Sequence, residues 1–305
     1  MIKPQHLFSL FFKAAKAWID DFAPSMGAAI SYYTVFSLAP TLIIVIAIAG
    51  AVFGRDAVEG QVVAQLSGLL GEQSASLIQG LLASVSDTDK GLVAGLISLA
   101  VLLIGATTVF AELQSALDRI WHVPASQKPS GIVAIVKARV LSFGLILGLV
   151  FVLMVSLSVS AAVAALGSWA DGLMPGWEVV AHGLNVAISL GLDTLLFAMI
   201  YKLMPTARIR WGDVWVGALT TAVLFEVGKF LIGLYIAKSA SVDAFAAAGS
   251  LVALLVWVYY GAQIFLLGAE FTKAYADEHG SLVGAKAMAA TKSAGLRPTN
   301  SRAIP

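Results

Sequence analysis

An all-α, polytopic integral membrane protein with six transmembrane helices is the fold class this sequence predicts, and three observations predict it. Six long apolar stretches lie between Gly27 and Phe271, and a bilayer core about 30 Å thick needs roughly 20 apolar residues of helix to cross it. The positive charges sort by loop. Of 19 Lys and Arg, only Arg55, Lys90 and Lys238 fall on one side of such a bundle and only Lys229 inside a span, while all the others fall on the opposite side. Composition is the third observation: 12% of residues are charged and 59% hydrophobic, against roughly 25% charged in a soluble domain.

The first element is an amphipathic helix within residues 1–24. Leu7, Phe8, Phe11, Ala15, Trp18, Ile19 and Phe22 recur at helical spacing, with Lys13, Lys16 and Asp20 among the remaining positions, the pattern of a helix lying on a membrane surface. Pro24 is expected to end it. The apolar run Leu7 to Phe12 is too short for a cleavable signal and is followed by Lys13 and Lys16.

A transmembrane domain over 25–277 follows, with spans at 27–53, 91–112, 139–166, 178–201, 213–236 and 245–271. Pro40 falls inside the first span and predicts a kink, because proline removes a helical hydrogen bond. The loop 54–90 carries two apolar stripes, Val58, Val62, Leu66, Leu69 and Leu70, then Leu77, Ile78, Leu81, Leu82 and Val85, broken at Gly71. They predict two short helices on the outer face. Lys3, Lys13 and Lys16 precede span 1, Arg119, Lys128, Lys137 and Arg139 lie between the second and third spans, and Lys202, Arg208 and Arg210 follow the fourth. The positive-inside rule makes their side cytoplasmic, so both termini are expected there. Trp121, Trp211 and Trp215 fall at that interface, Trp169 and Trp177 at the outer one. The tail, 278–305, is small, polar and basic, and is expected to be disordered.

Chemistry of the soluble-enzyme kind is not expected. The chain has no Walker loop, GxGxxG, HExxH or cysteine, and its four histidines (His6, His122, His182, His279) are far apart in sequence. No catalytic residue, cofactor or metal site is therefore assigned. The net charge of +1 is spread over several segments and gives no reason to expect nucleic acid. Membrane lipids are the expected partners. Gly91-x-x-x-Gly95 and Gly144-x-x-x-Gly148 offer faces for helix contact, or for a homo-oligomer.

The informative polar residues lie inside the spans. Asp193 precedes Lys202 by about 13 Å of helix rise, close to mid-bilayer, while Glu226 and Lys229 sit roughly 20 and 24 Å beyond Asp213. Each such charge costs ~2.5–3.5 kcal/mol at the membrane centre, so all three should face the bundle interior or water. Two readings stand: a polar translocation path, or an internal ion pair joining spans 4 and 5. The height difference predicts that Asp193 does not touch Lys229 and instead lines a polar pocket of small or hydroxyl residues. A second group, Glu112, Asp118, Arg119 and Glu270, sits at the cytoplasmic ends of spans 2 and 6 as a candidate gate or an interfacial ion-pair cluster. Ser156 and Ser160 share a face of span 3 and suit helix packing.

Several segments taken together are similar to one family. They are Met26-Gly-Ala-Ala-Ile-Ser-Tyr-Tyr-Thr-Val-Phe-Ser-Leu-Ala-Pro40, Ala111-Glu-Leu-Gln-Ser-Ala-Leu-Asp-Arg-Ile-Trp121, Tyr201-Lys-Leu-Met-Pro205 with Trp211, and Gly249-Ser-Leu through Trp257-Val-Tyr-Tyr260 to Leu267-Gly-Ala-Glu270. On these the chain resembles the YihY/BrkB family of bacterial inner-membrane proteins over residues 10–277. Asp118 stands where that family often has Asn, and Ala246 where Gly is common. The resemblance implies an inner-membrane location and a role tied to envelope integrity, serum resistance or, for some relatives, export of lipopolysaccharide precursors. Some members carry a ribonuclease BN label, against which the residues of this chain argue. The resemblance brings no catalytic motif.

Overall fold

The computed structural model describes residues 4–70, 79–80, 92–124, 126, 140–148, 150–152, 154–155, 158–159, 161–162, 177–207, 209–239 and 246–280. Among them regular structure is helical throughout. The helices are α1 (Pro4–Asp20), α2 (Ala23–Phe53), α3 (Arg55–Leu70), α4 (Leu92–Ile120), α5 (Val140–Val152), α6 (Trp177–Leu203), α7 (Trp211–Ser239) and α8 (Ala246–Glu278). Five of them, α2, α4, α6, α7 and α8, contain stretches long and apolar enough to cross a membrane. The third expected span is described only in pieces, of which α5 is the longest. Most of the second stripe of loop 54–90, the whole of Gly91 and the tail beyond Gly280 lie outside the described residues.

Helix α8 is the organising element. It packs against α2, α7 and α1, and more lightly against α4, while α6 packs on α7 and α4 on α2. Two apolar clusters run through the bundle. One, toward the Lys/Arg-rich end, joins Met26 and Ile30 of α2, Leu117 and Ile120 of α4, Tyr201 of α6, Ala218 of α7 and Leu266 of α8. The other joins Val45 and Ala49 of α2, Ala106 of α4, Ile146 and Val150 of α5, Leu254 of α8, and Val58 and Val62 of α3. The first stripe of loop 54–90 thus forms a helix whose valines pack onto α2.

Apolar contact alone does little to associate helices already in lipid, so backbone approach and polar contacts matter more. The closest approach is between α7 and α8. A Cβ added at Gly217 would fall 1.7 Å from Thr272 Oγ1, and one added at Gly268 would fall 1.9 Å from Thr221 Oγ1. Each threonine donates its hydroxyl to the carbonyl of the glycine one turn earlier on its own helix, at 2.8 Å for Thr221 to Gly217 and 2.7 Å for Thr272 to Gly268. Gly-x-x-x-Thr on one helix therefore fits Gly-x-x-x-Thr on the other. Gly144 has nothing within 4 Å of such a Cβ, so it is not a close-contact face within the described chain.

Several boundaries differ from the sequence expectation. Pro24 does not end α1; it sits in the first turn of α2, where a missing N–H costs nothing. The break is made by Phe22, held left-handed at φ 59°. The buried side of α1 is Leu10 and Ala14, packed with Phe271 of α8, while Phe8, Phe12, Ile19 and Phe22 are exposed. That differs from a single apolar stripe on one face, because α1 has a protein neighbour on one side. Helix α4 continues past Glu112 to Ile120 and α8 past Phe271 to Glu278, since Ala116, Leu117, Ile120 and Ala276 still bury apolar surface. Pro40 lies inside α2, which remains continuous from Ala23 to Phe53. Its ring faces Gly105 of α4, where an added Cβ would come within 3.1 Å of Pro40 Cγ.

Candidate functional site

The three expected intramembrane residues do meet. Lys229 Nζ lies 2.7 Å from Glu226 Oε1, its i−3 neighbour on α7, and 3.5 Å from Asp193 Oδ2 across on α6. The contact with Asp193 overturns the expectation that the two stand apart. Heights counted along the backbone from Lys202 and Asp213 treat those loop ends as level and ignore the long Lys stem, which lets the ammonium meet a carboxylate at another height. Ser189, one turn before Asp193, donates to Glu226 Oε1 at 3.3 Å, so the expected hydroxyl neighbour is present but serves the other acid. Lys229 also lies 5.4 Å from the centre of the Phe225 ring, within cation–π range.

These side chains are not sealed: Lys229, Asp193 and Glu226 are 22%, 24% and 33% exposed. With two carboxylates against one ammonium, the triad carries an excess negative charge whenever all three are ionised. Such a group within a bilayer is stable only beside water, other polar groups or a polar ligand.

Glu112, Asp118, Arg119 and Glu270 do not form one cluster. Asp118 is buried and accepts from Thr206, at 2.7 Å from the backbone N–H and 2.8 Å from the hydroxyl. It ties the end of α4 to the turn between α6 and α7. Arg119, beside it in sequence, points outward, and Glu112 is half-buried. Glu270 belongs to a different node. It is 1% exposed, neither carboxylate oxygen has a hydrogen-bond partner, and Lys273 and Asp21 are its charged neighbours. Lys273 Nζ lies 3.9 Å from Asp21 Oδ2 and 3.2 Å from His122 Nδ1, and His122 Nε2 lies 3.1 Å from Asp21 Oδ1.

A common pattern emerges. Glu226-Val-Gly-Lys229 on α7 and Glu270-Phe-Thr-Lys273 on α8 each present a glutamate and a lysine on one helix face. Each pair is met by an aspartate from a neighbouring element: Asp193 of α6, and Asp21 of the α1–α2 junction. The repeated Glu-x-x-Lys spacing was visible in the sequence, but the aspartates were not. Also missed was Tyr201, fully buried, whose hydroxyl donates to the Phe265 carbonyl at 2.7 Å and lies 3.0 Å from Thr221 Oγ1. That hydroxyl pins α6 to both helices of the α7–α8 crossing.

Residues 14–292 match the family model described as Virulence factor BrkB. Among curated relatives, a UPF0761 membrane protein of Ralstonia nicotianae is 29% identical over 82% of this chain and 55% of its own length. One from Pseudoalteromonas translucida is 28% identical over 86% of this chain and 84% of its own length. One from Klebsiella pneumoniae is 33% identical over 56% of each. The chain thus spans little more than half the length of several relatives. No solved structure matches it.

Proposed function

The chain belongs to the BrkB family of membrane proteins, and from that premise we propose that it assists the movement of a lipid-like envelope molecule across a bacterial inner membrane, with both termini in the cytoplasm. The observation that carries this reading is the Asp193–Glu226–Lys229 triad, charged, inside the spans and a quarter to a third open. A polar headgroup passing along α6 and α7 would find there both an ammonium and carboxylates to replace its hydration. The chain has no nucleotide-binding motif, so the driving force is a gradient, a partner ATPase or the lipid's own concentration difference.

The experiment is reconstitution into liposomes carrying a labelled lipid on one leaflet, repeated over several headgroups. The protein should speed exchange between leaflets, and Asp193→Asn should slow it while leaving folding intact. Exchange no faster than in empty vesicles, for every headgroup tried, rejects the reading. A second reading, a non-transporting scaffold that maintains the envelope, is favoured by one observation: Lys229 pairs with both acids and thereby joins α6 to α7. On that reading Asp193→Asn leaves cellular function unchanged. Neither reading calls for catalysis or for RNA as a substrate.

A further inference from the structure

We propose that α1 is a pH-sensitive latch, hinged at Asp21–Phe22 and closed onto α8 along a seam of histidines and ion pairs. The hinge is structural. The two non-glycine residues with positive φ among those described are Phe22 at 59° and His122 at 48°. Both lie where α1 meets the rest of the chain, and side chains are rarely held in that region without a compensating role.

The seam is polar along its length. At its far end the His6 ring of α1 sits edge-on to His279 beyond α8, centroids 6.0 Å apart, and His279 stacks on Tyr275. In the middle Lys13 of α1 is ion-paired with Glu278. Between these helices lies a cleft of about 270 Å³ whose lining includes Lys13, Glu270, Lys273 and Asp277. At the hinge, Asp21 holds His122 of the α4 end, and Lys273 lies against both. From α7, Asp213 faces the chain just beyond His279, within 2.2 Å of where a Cβ on Gly280 would sit.

Histidine is the side chain whose charge ordinarily changes between about pH 8 and pH 5. Neutral, His6 and His279 pack as an edge-to-face pair. When both are protonated they become like charges at the tip of α1, where Lys13 adds a third and Glu278 with Asp213 gives partial relief. At the hinge the sign is opposite. Protonated His122 pairs more strongly with Asp21, loses the lone pair that accepts from Lys273, and repels that ammonium. Glu270, at i−3 from Lys273 and without a hydrogen bond, is the acceptor to which Lys273 can turn. Acidification therefore loosens the tip of α1 and tightens its root, so the helix swings about Phe22 rather than detaching.

The chain has no cysteine, so two can be introduced without background. Spin labels at Ser9→Cys on α1 and Arg119→Cys at the end of α4, both exposed sites, report the angle of the latch in the full-length protein in lipid nanodiscs. One distance population is expected at about pH 8, and a second, reversible one at about pH 5. In the His6→Gln/His279→Gln variant the acid population should be lost, whereas His122→Gln should keep it. Lys13→Ala should raise the open population already at the higher pH. The pH 8 distance itself shows whether each variant is folded with α1 docked, and His6→Gln alone provides a second test because one charged ring then faces a neutral one. A distance distribution indifferent to pH, or an acid population undiminished in the double histidine variant, overturns the latch.

Discussion

Replacing Lys229 with methionine should strongly destabilise the bundle, while neutralising the whole triad should not. The ammonium answers two carboxylates, at 2.7 Å and 3.5 Å. Its removal leaves Glu226 and Asp193 as like charges within the membrane, where a single charge already costs ~2.5–3.5 kcal/mol to place. Breaking a buried pair costs about 3–5 kcal/mol. Exposure of 22–33% admits some screening, which brings the expected loss to about 2–3 kcal/mol. In Asp193→Asn/Glu226→Gln/Lys229→Met no charge remains and the volumes are nearly kept, so stability should return to within ~1 kcal/mol of the parent. The assay is thermal unfolding of purified protein in a mild detergent, followed by the fraction that stays monodisperse. At roughly 2–4 °C per kcal/mol for a chain of this order, the single variant should melt about 5–10 °C lower. A single variant that melts with the parent, or a triple variant as weak as the single one, would refute the claim that Lys229 offsets both acids.

The other predictions concern contacts between helices. Gly268→Ala drives a methyl group against Thr221 and the Tyr201 hydroxyl and should cost ~1–3 kcal/mol in the same assay, whereas Gly144→Ala, with nothing within 4 Å, should be neutral or slightly stabilising. Tyr201→Phe loses a buried hydroxyl bonded to Phe265 O and Thr221, an expected loss of about 1–2 kcal/mol, and a melting curve superimposable on the parent's would count against its role as a pin. Asp118→Ala leaves the Thr206 N–H and hydroxyl without their acceptor and should cost about 1–3 kcal/mol. Asp118→Asn should lose much less, because its amide can accept from the Thr206 N–H and donate to the hydroxyl; equal losses in the two variants would show that the negative charge itself is required.

The class of molecule was determined by the sequence alone. Apolar stretches of membrane-spanning length and the sorting of Lys and Arg by loop are one-dimensional properties, and they carry over directly into five spanning helices. So does the pairing of Glu226 with Lys229, because residues three apart share a helix face whatever surrounds them. Only the tertiary structure decided which faces meet. Helices that are apolar around most of their circumference carry little signal for their rotation, and loops of unequal depth hide their relative heights. Asp193 was therefore given no cation, although Lys229 reaches it. Asp118 was grouped with Arg119 next to it, but its partner Thr206 lies 88 residues away. Glu270 was placed in that same group, yet it sits beside Asp21 at the opposite end of the chain. In α1 a helical apolar period was legible, but the neighbour that selects Leu10 and Ala14 over Phe8 and Phe12 is α8, near the other end of the sequence. Local periodicity fixes what a helix is; burial against a partner distant in sequence fixes which of its side chains do the work.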